Sequence, residues 1–215
     1  SEAAQVKPQR EVTAERLAYA EVDDELVYGH FAFPSDMIEP LPAVIMIHEW
    51  WGLNDNIRAM AERLAAEGYI VLAVDLFGGN SATDPESARQ LMLRAVENRD
   101  SVTSNIQQAY AFVTTTAGAP RVASLGWCFG GGWSLNAALE FSGQLDATVI
   151  YYGQVTGDGL PLADVGVDPF IAEEEFKRIQ QRCGIICWNR IGEVEIVDGV
   201  AIGLQMLPEA CLPFM

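Results

Sequence analysis

Histidine is nearly absent from this chain: His30 and His48 are the only two among 215 residues, so none follows residue 48. Any reaction that relies on an imidazole base from the C-terminal three quarters of the sequence is therefore excluded as the sequence stands. Basic residues are also scarce, 13 Lys and Arg against 30 Asp and Glu, and the formal net charge is −17. Such a charge excludes nucleic acid and anionic membrane surfaces as partners, because both repel it. Four cysteines, Cys128, Cys183, Cys187 and Cys211, are too few to form the disulfide framework of a chain this long. Cys183 and Cys187 have no second ligand pair near them to complete a zinc site, so no metal and no cofactor is expected. No apolar run approaches the ~20 residues that a bilayer-spanning helix needs. A cytoplasmic location is expected, or a periplasmic or secreted one if a signal peptide was removed before Ser1.

What is present is half hydrophobic by residue count, which indicates a globular protein with one sizeable core. Residues 1–24 are polar and charged and read as an N-terminal arm, and 25–215 read as a single domain. Leu26 to Pro34 alternates like a partly exposed strand. Ala43 to Ile47 and Tyr69 to Val74 are continuous apolar runs of the kind buried on both faces of a parallel sheet. Between them Asn54 or Asp55 caps a helix that carries Ile57, Met60, Ala61, Leu64 and Ala65 at helical spacing and ends at Gly68. Asp84-Pro85-Glu86 opens another helix, and a further one is predicted over 102–113. A strand over 121–125, a helix over 133–139 and a strand over 147–152 complete the alternation. Strand and helix alternating with short connections give an α/β fold with a doubly wound, mainly parallel sheet.

The chemistry points to one turn. Gly126-Trp127-Cys128-Phe129-Gly130-Gly131 joins an apolar strand to an apolar helix, with a thiol at its apex. A nucleophile elbow needs small residues two positions to either side, because its backbone is strained and strand and helix pass close together. Gly126 and Gly130 meet that demand, which makes Cys128 the candidate nucleophile for covalent acyl transfer. Sites of open parallel sheets lie at the carboxyl ends of the strands, so His48-Glu49-Trp50-Trp51-Gly52 and Asp75-Leu76-Phe77-Gly78-Gly79 are its expected neighbours. Glu49 would place a carboxylate near the thiol. A helix starting after Cys128 favours the thiolate and that carboxylate opposes it, which describes a gated thiol. The backbone N–H groups of Trp50 and Phe129 are candidates for an oxyanion hole. His48 is expected to point away from Glu49 by strand alternation, His30 to be exposed, and Asp75 to cap a turn. Trp50 and Trp51, at a strand mouth, are better placed than Trp127 and Trp133 to line an apolar pocket.

Ile47-His48-Glu49-Trp50-Trp51-Gly52-Leu53-Asn54, Gly68-Tyr69, Asp75-Leu76, Gly126-Trp127-Cys128-Phe129-Gly130-Gly131 and Tyr151-Tyr152-Gly153 together resemble the dienelactone hydrolase family over roughly residues 20 to 157. The resemblance implies an α/β-hydrolase fold and cleavage of a small-molecule carboxylic ester or lactone by a cysteine acyl-enzyme; a monomer or weak homodimer is expected. It implies Cys128 as nucleophile, Glu49 as its inhibitory or activating partner, and Trp50 and Phe129 as oxyanion donors. In the family His48 is structural. Asp164, within Gly159 to Gly166, weakly echoes the family's triad acid. The family's histidine, near its C-terminus in a Gly-His-x-Phe context, has no counterpart here, and residues 159–215 are atypical. Val200 to Met206 can be written in codons that spell Gly-His-Arg-Phe-Ala-Asn in a shifted frame. A frame slip and a chance match both account for that, and the coding DNA separates them. A non-catalytic member that binds a small acyl ligand in the same cleft is the alternative functional expectation.

Overall fold

β3 (Ala43–Ile47) and β4 (Ile70–Val74) are buried at every residue, and this pair of short apolar runs forms the middle of the sheet. The computed structural model describes residues 10–141 and 143–151, together with the backbone of 185–188. Its remaining strands are β1 (Val12–Val22), β2 (Glu25–Pro34), β5 (Val122–Trp127), β6 (Ala147–Tyr151) and β7 (Ile185–Trp188). They run in the order β1-β2-β4-β3-β5-β6-β7, with β1 and β2 antiparallel and β4 through β7 mutually parallel. This is the doubly wound, mainly parallel sheet read from the sequence.

Among the described residues, four helices cover the sheet: α1 (Asp55–Ala66), α2 (Pro85–Glu97), α3 (Arg99–Ala111) and α4 (Phe129–Glu140). Strand pleating decides which residue faces which helix. Ile45 and Ile47 of β3 join one core with residues of α2, α3 and α4. Met46, between them, joins the other with Ile57, Ala61 and Ala65 of α1. Local chemistry sets the helix starts. The Asn54 side chain accepts from the Ile57 N–H at 3.2 Å, and Asp84 accepts from the Ser87 N–H at 3.0 Å ahead of Pro85. Those oxygens satisfy N–H groups that have no partner within the helix.

Three elements differ from the sequence reading. The segment assigned to a polar arm contains β1, a full edge strand paired with β2 over Val12↔Pro34 to Val22↔Glu25. A register shift between Ala18 and Ala20 makes Tyr19 and Ala20 buried in succession, which erases the alternation that marks a strand. Its exposed Glu15, Arg16 and Glu21 are the charges that protect a sheet edge. α3 begins at Arg99 rather than 102 and runs into a π-helical turn, Phe112–Thr116, where Thr115 Oγ1 donates to the Ala111 carbonyl. β7 was not anticipated, because Ile185–Trp188 is short and far from β6 in sequence.

A buried polar network links the edge strand to the sheet's carboxyl end. The Tyr19 hydroxyl donates to Asn105 Oδ1 at 2.5 Å and accepts from the Asp75 N–H at 3.1 Å, while Asn105 Nδ2 donates to the Asp75 carbonyl at 2.9 Å. Burial pushes the Tyr19 phenol well above its usual range, so it remains a neutral donor. Tyr19→Phe leaves the Asp75 N–H buried without that acceptor. It should cost about 1–3 kcal/mol, read as a lower midpoint in urea with an unchanged slope.

Candidate active site

Cys128 stands between β5 and α4 with φ 52° and ψ −119°, a left-handed backbone that only a tightly enforced turn imposes on a residue with a side chain. Two glycines make the enforcement possible. A Cβ on Gly126 would lie 2.1 Å from the Gly130 carbonyl oxygen, and one on Gly130 would lie 2.3 Å from that of Ile47 and 2.4 Å from that of His48. The elbow is thus packed backbone to backbone on the end of β3. It is pinned on its other side, where the Cys128 N–H donates to the Tyr151 carbonyl at 3.0 Å. Behind it, Ser124 Oγ lies 2.8 Å from Ser134 Oγ and 3.2 Å from Thr148 Oγ1, joining β5, α4 and β6 through buried hydroxyls.

Ile47 pairs with Gly126 in the parallel register of β3 and β5, so Glu49 and Cys128 each lie two residues past a matched pair, at the same end of neighbouring strands. Both are partly buried. Trp50 follows in a turn closed by the Gly52 N–H donating to the Glu49 carbonyl at 3.1 Å. The Trp50 and Trp51 rings meet at 5.0 Å and pack, partly buried, against the core. Phe129 opens α4, and its N–H belongs to the first helical turn, where backbone donors lack helical acceptors. Its ring is buried against Phe77 at 5.4 Å, His48 at 6.2 Å and Trp133 at 6.3 Å. Trp133 is core, 1% exposed, whereas Trp127 stacks on Tyr151 at 5.6 Å with both rings partly buried.

His48 is completely buried and bonded through both ring nitrogens. Nδ1 lies 2.6 Å from the Glu49 carbonyl oxygen, and Nε2 accepts from the Leu76 N–H at 3.1 Å. A carbonyl only accepts and an N–H only donates, so the ring is neutral with its proton on Nδ1. With both nitrogens committed it has no lone pair to serve as a base. Burial, only partly offset by the bond to Glu49, holds its pKa below the usual 6.5. A depressed histidine makes folding weaker in acid: its contribution is complete above 6.5 and is lost as pH falls, because only the unfolded chain then takes up the proton. The urea midpoint should therefore fall from neutral pH towards pH 5, and His48→Asn should flatten that part of the profile.

Asp75 caps the β4 turn as expected, with its carboxylate accepting from the Phe77 N–H at 2.8 Å and the Gly79 N–H at 2.5 Å. His30 departs from the expectation of exposure: its side chain is 12% exposed, with Nε2 3.0 Å from Glu62 Oε1 on α1. A cavity of about 110 Å³ nearby is lined by Arg16, Tyr28, His30, Leu53, Arg58 and Asp75, and not by Cys128 or Glu49. Asp164, Cys183 and Cys211 lie outside the described residues, as does the side chain of Cys187. The Tyr19–Asn105–Asp75 network is not evident from the sequence. Its signal would have been a tyrosine and an asparagine on otherwise apolar core faces.

The dienelactone hydrolase family model matches residues 27–181, well over half of the chain and past residue 157, where the motif likeness ends. Among relatives, the Aquifex pyrophilus protein usf is 36% identical over 118 residues, which is 52% of this chain and 51% of that protein. A Saccharolobus solfataricus protein named as a candidate carboxymethylenebutenolidase is 29% identical over 177 residues, 65% of this chain and 66% of its own length. The chain spans about half the length of the Aquifex relatives it matches. Among solved structures, a dienelactone-hydrolase-like promiscuous phosphotriesterase from metagenomic libraries superposes with a TM-score of 0.62 at 25% identity, covering 81% of this chain and 78% of that one. A structure described as a candidate dienelactone hydrolase from Klebsiella pneumoniae gives 0.60 at 25% identity, covering 70% and 64%. Sheet order, elbow and family match agree: this chain belongs to the dienelactone hydrolase family and has the α/β-hydrolase fold.

Proposed function

We propose that this chain cleaves small carboxylic esters or lactones through an acyl-enzyme on Cys128. The observation that carries the reading is the strained backbone of Cys128, held at φ 52° by glycines that leave no room for a Cβ. Strain of this kind persists only where the surrounding structure over-determines it, and here it sits at the start of a helix at the sheet's carboxyl end. The sulfur attacks the carbonyl carbon and the carbonyl oxygen takes up the negative charge. The N–H groups of Trp50 and Phe129 receive that charge, and the helix N-terminus adds a favourable field. Collapse expels the alcohol, which leaves a thioester on Cys128. Water then attacks the thioester, giving the free acid and regenerating the thiol. In a lactone, alcohol and acid remain in one opened molecule. Glu49, at the neighbouring strand end, is the carboxylate that gates the thiol.

One observation favours a second reading. His48 is committed through both ring nitrogens, His30 lies beside Glu62 on another part of the sheet, and the sequence holds no other histidine. Without an imidazole base the second half-reaction slows, and the chain would hold a small acyl group rather than turn it over. Stopped-flow reaction with a p-nitrophenyl ester separates the two. Sustained release beyond one nitrophenolate per chain supports the hydrolase, a burst of one that stops supports the acyl holder, and no release at all contradicts both.

A further inference from the structure

The buried imidazole of His48 lies in a place where it can do more than fill the core. Its Nδ1 donates to the Glu49 carbonyl at 2.6 Å, the same oxygen that accepts from the Gly52 N–H at 3.1 Å. Its Nε2 holds the Leu76 N–H at 3.1 Å, across the gap from β3 to the turn after β4. Phe77 packs edge-on against the ring at 4.7 Å, and Phe129 lies nearly parallel to it at 6.2 Å. The ring therefore has one position and one tautomer, fixed by two backbone groups and two aromatic rings.

The Glu49 carbonyl shares its peptide plane with the Trp50 N–H, and the two point in opposite directions because the peptide is planar and trans. β3 lies between β4 and β5, so Leu76 and Cys128 sit on opposite flanks of it. His48 reaches Leu76 on the β4 flank and draws the Glu49 carbonyl to itself. A trans peptide whose carbonyl is held by a group reaching the β4 flank directs its N–H the other way, and the Cys128 elbow lies on that other flank of β3. The contact of Gly130 with the carbonyls of Ile47 and His48 fixes the elbow against this same peptide run.

We infer that His48 is the positioning residue of the oxyanion hole: its Nδ1 proton orients the Glu49–Trp50 peptide so that the Trp50 N–H faces the carbonyl oxygen of a substrate bound at Cys128. The inference rests on the acyl-enzyme reading, to which it adds a role for a residue that touches neither substrate nor sulfur. An oxyanion hole acts only when its donors are already in place, so a rotated peptide forfeits the benefit without moving the nucleophile.

The test compares two reactions of the same thiol. Acylation by p-nitrophenyl acetate develops an oxyanion, whereas alkylation by iodoacetamide does not, so the ratio of their rate constants reports the hole apart from the reactivity of the sulfur. His48→Asn places an amide N–H where Nδ1 was, and His48→Gln reaches only as far as Nε2. Loss of one oxyanion donor costs roughly 10²-fold or more in rate. His48→Gln should lower the acylation-to-alkylation ratio by about that factor, and His48→Asn should restore it to within roughly tenfold of the wild type. An unchanged ratio in a folded His48→Gln overturns the inference while leaving the acyl-enzyme intact. A wild-type thiol that alkylates but never acylates overturns the hydrolase reading instead. Nitrogen NMR of the wild-type ring decides the clamp without any variant. A neutral His48 with its proton on Nδ1 is expected at neutral pH, and a proton on Nε2 or an imidazolium overturns it.

Discussion

Replacing Cys128 with alanine should abolish the nitrophenolate burst and lower any ester cleavage by on the order of 10³-fold or more, to what the remaining groups achieve with water as nucleophile. The thiol is the group that forms the covalent bond, and oxyanion donors alone cannot replace it. The substitution leaves the fold in place, because alanine meets the same backbone cost at φ 52° that cysteine does. Stability should change by less than about 1 kcal/mol, so circular dichroism and the urea midpoint distinguish lost chemistry from lost structure. Cys128→Ser is the sharper variant. It retains the shape of the elbow, yet a hydroxyl without a paired base is a far weaker nucleophile than a thiol, so the burst should vanish there as well.

The second large effect belongs to Gly130. A methyl group there meets the carbonyl oxygens of Ile47 at 2.3 Å and His48 at 2.4 Å, both of them backbone atoms in a fully buried strand end. No rotamer relieves such a contact, so α4 would have to lift away from β3 and carry Cys128 with it. Gly130→Ala should cost more than about 3 kcal/mol, either depriving the chain of its cooperative urea transition or leaving a thiol that no longer acylates. Gly132 is the matched control. It lies two residues on in the same helix, and a Cβ there has nothing within 4 Å. Gly132→Ala should be neutral or stabilising by up to about 1 kcal/mol, because alanine is the better helix former. Opposite outcomes from one methyl group, two residues apart, would locate the strain at the elbow.

The parts of the fold that were legible in sequence share a physical character. Ala43–Ile47 and Ile70–Val74 are continuously apolar because both faces are covered, and Asn54 and Asp84 mark helix starts through a bond that any sequence can display. The elbow was legible because its sterics demand glycine at 126 and 130. β1 was not, since its shift of register puts Tyr19 and Ala20 inward together and its exposed positions carry the charges of a solvated arm. At the site, strand alternation turns His48 away from Glu49 and the family resemblance implies a structural role for it, but its partners could not be read from sequence. The Leu76 N–H and the Glu49 carbonyl are backbone groups, which leave no trace in residue identity. The tie from Tyr19 through Asn105 to Asp75 joins three distant segments, and only packing brings them together.

Under the proposed hydrolase function, the strained thiol of Cys128 receives the acyl group. Intact mass followed by peptide mapping after brief exposure to p-nitrophenyl acetate tests it most directly. One acetyl group per chain is expected, located on the peptide that contains Cys128 and removed by hydroxylamine. An adduct on another residue, or a Cys128 that iodoacetamide alkylates while the ester leaves it untouched, would contradict it.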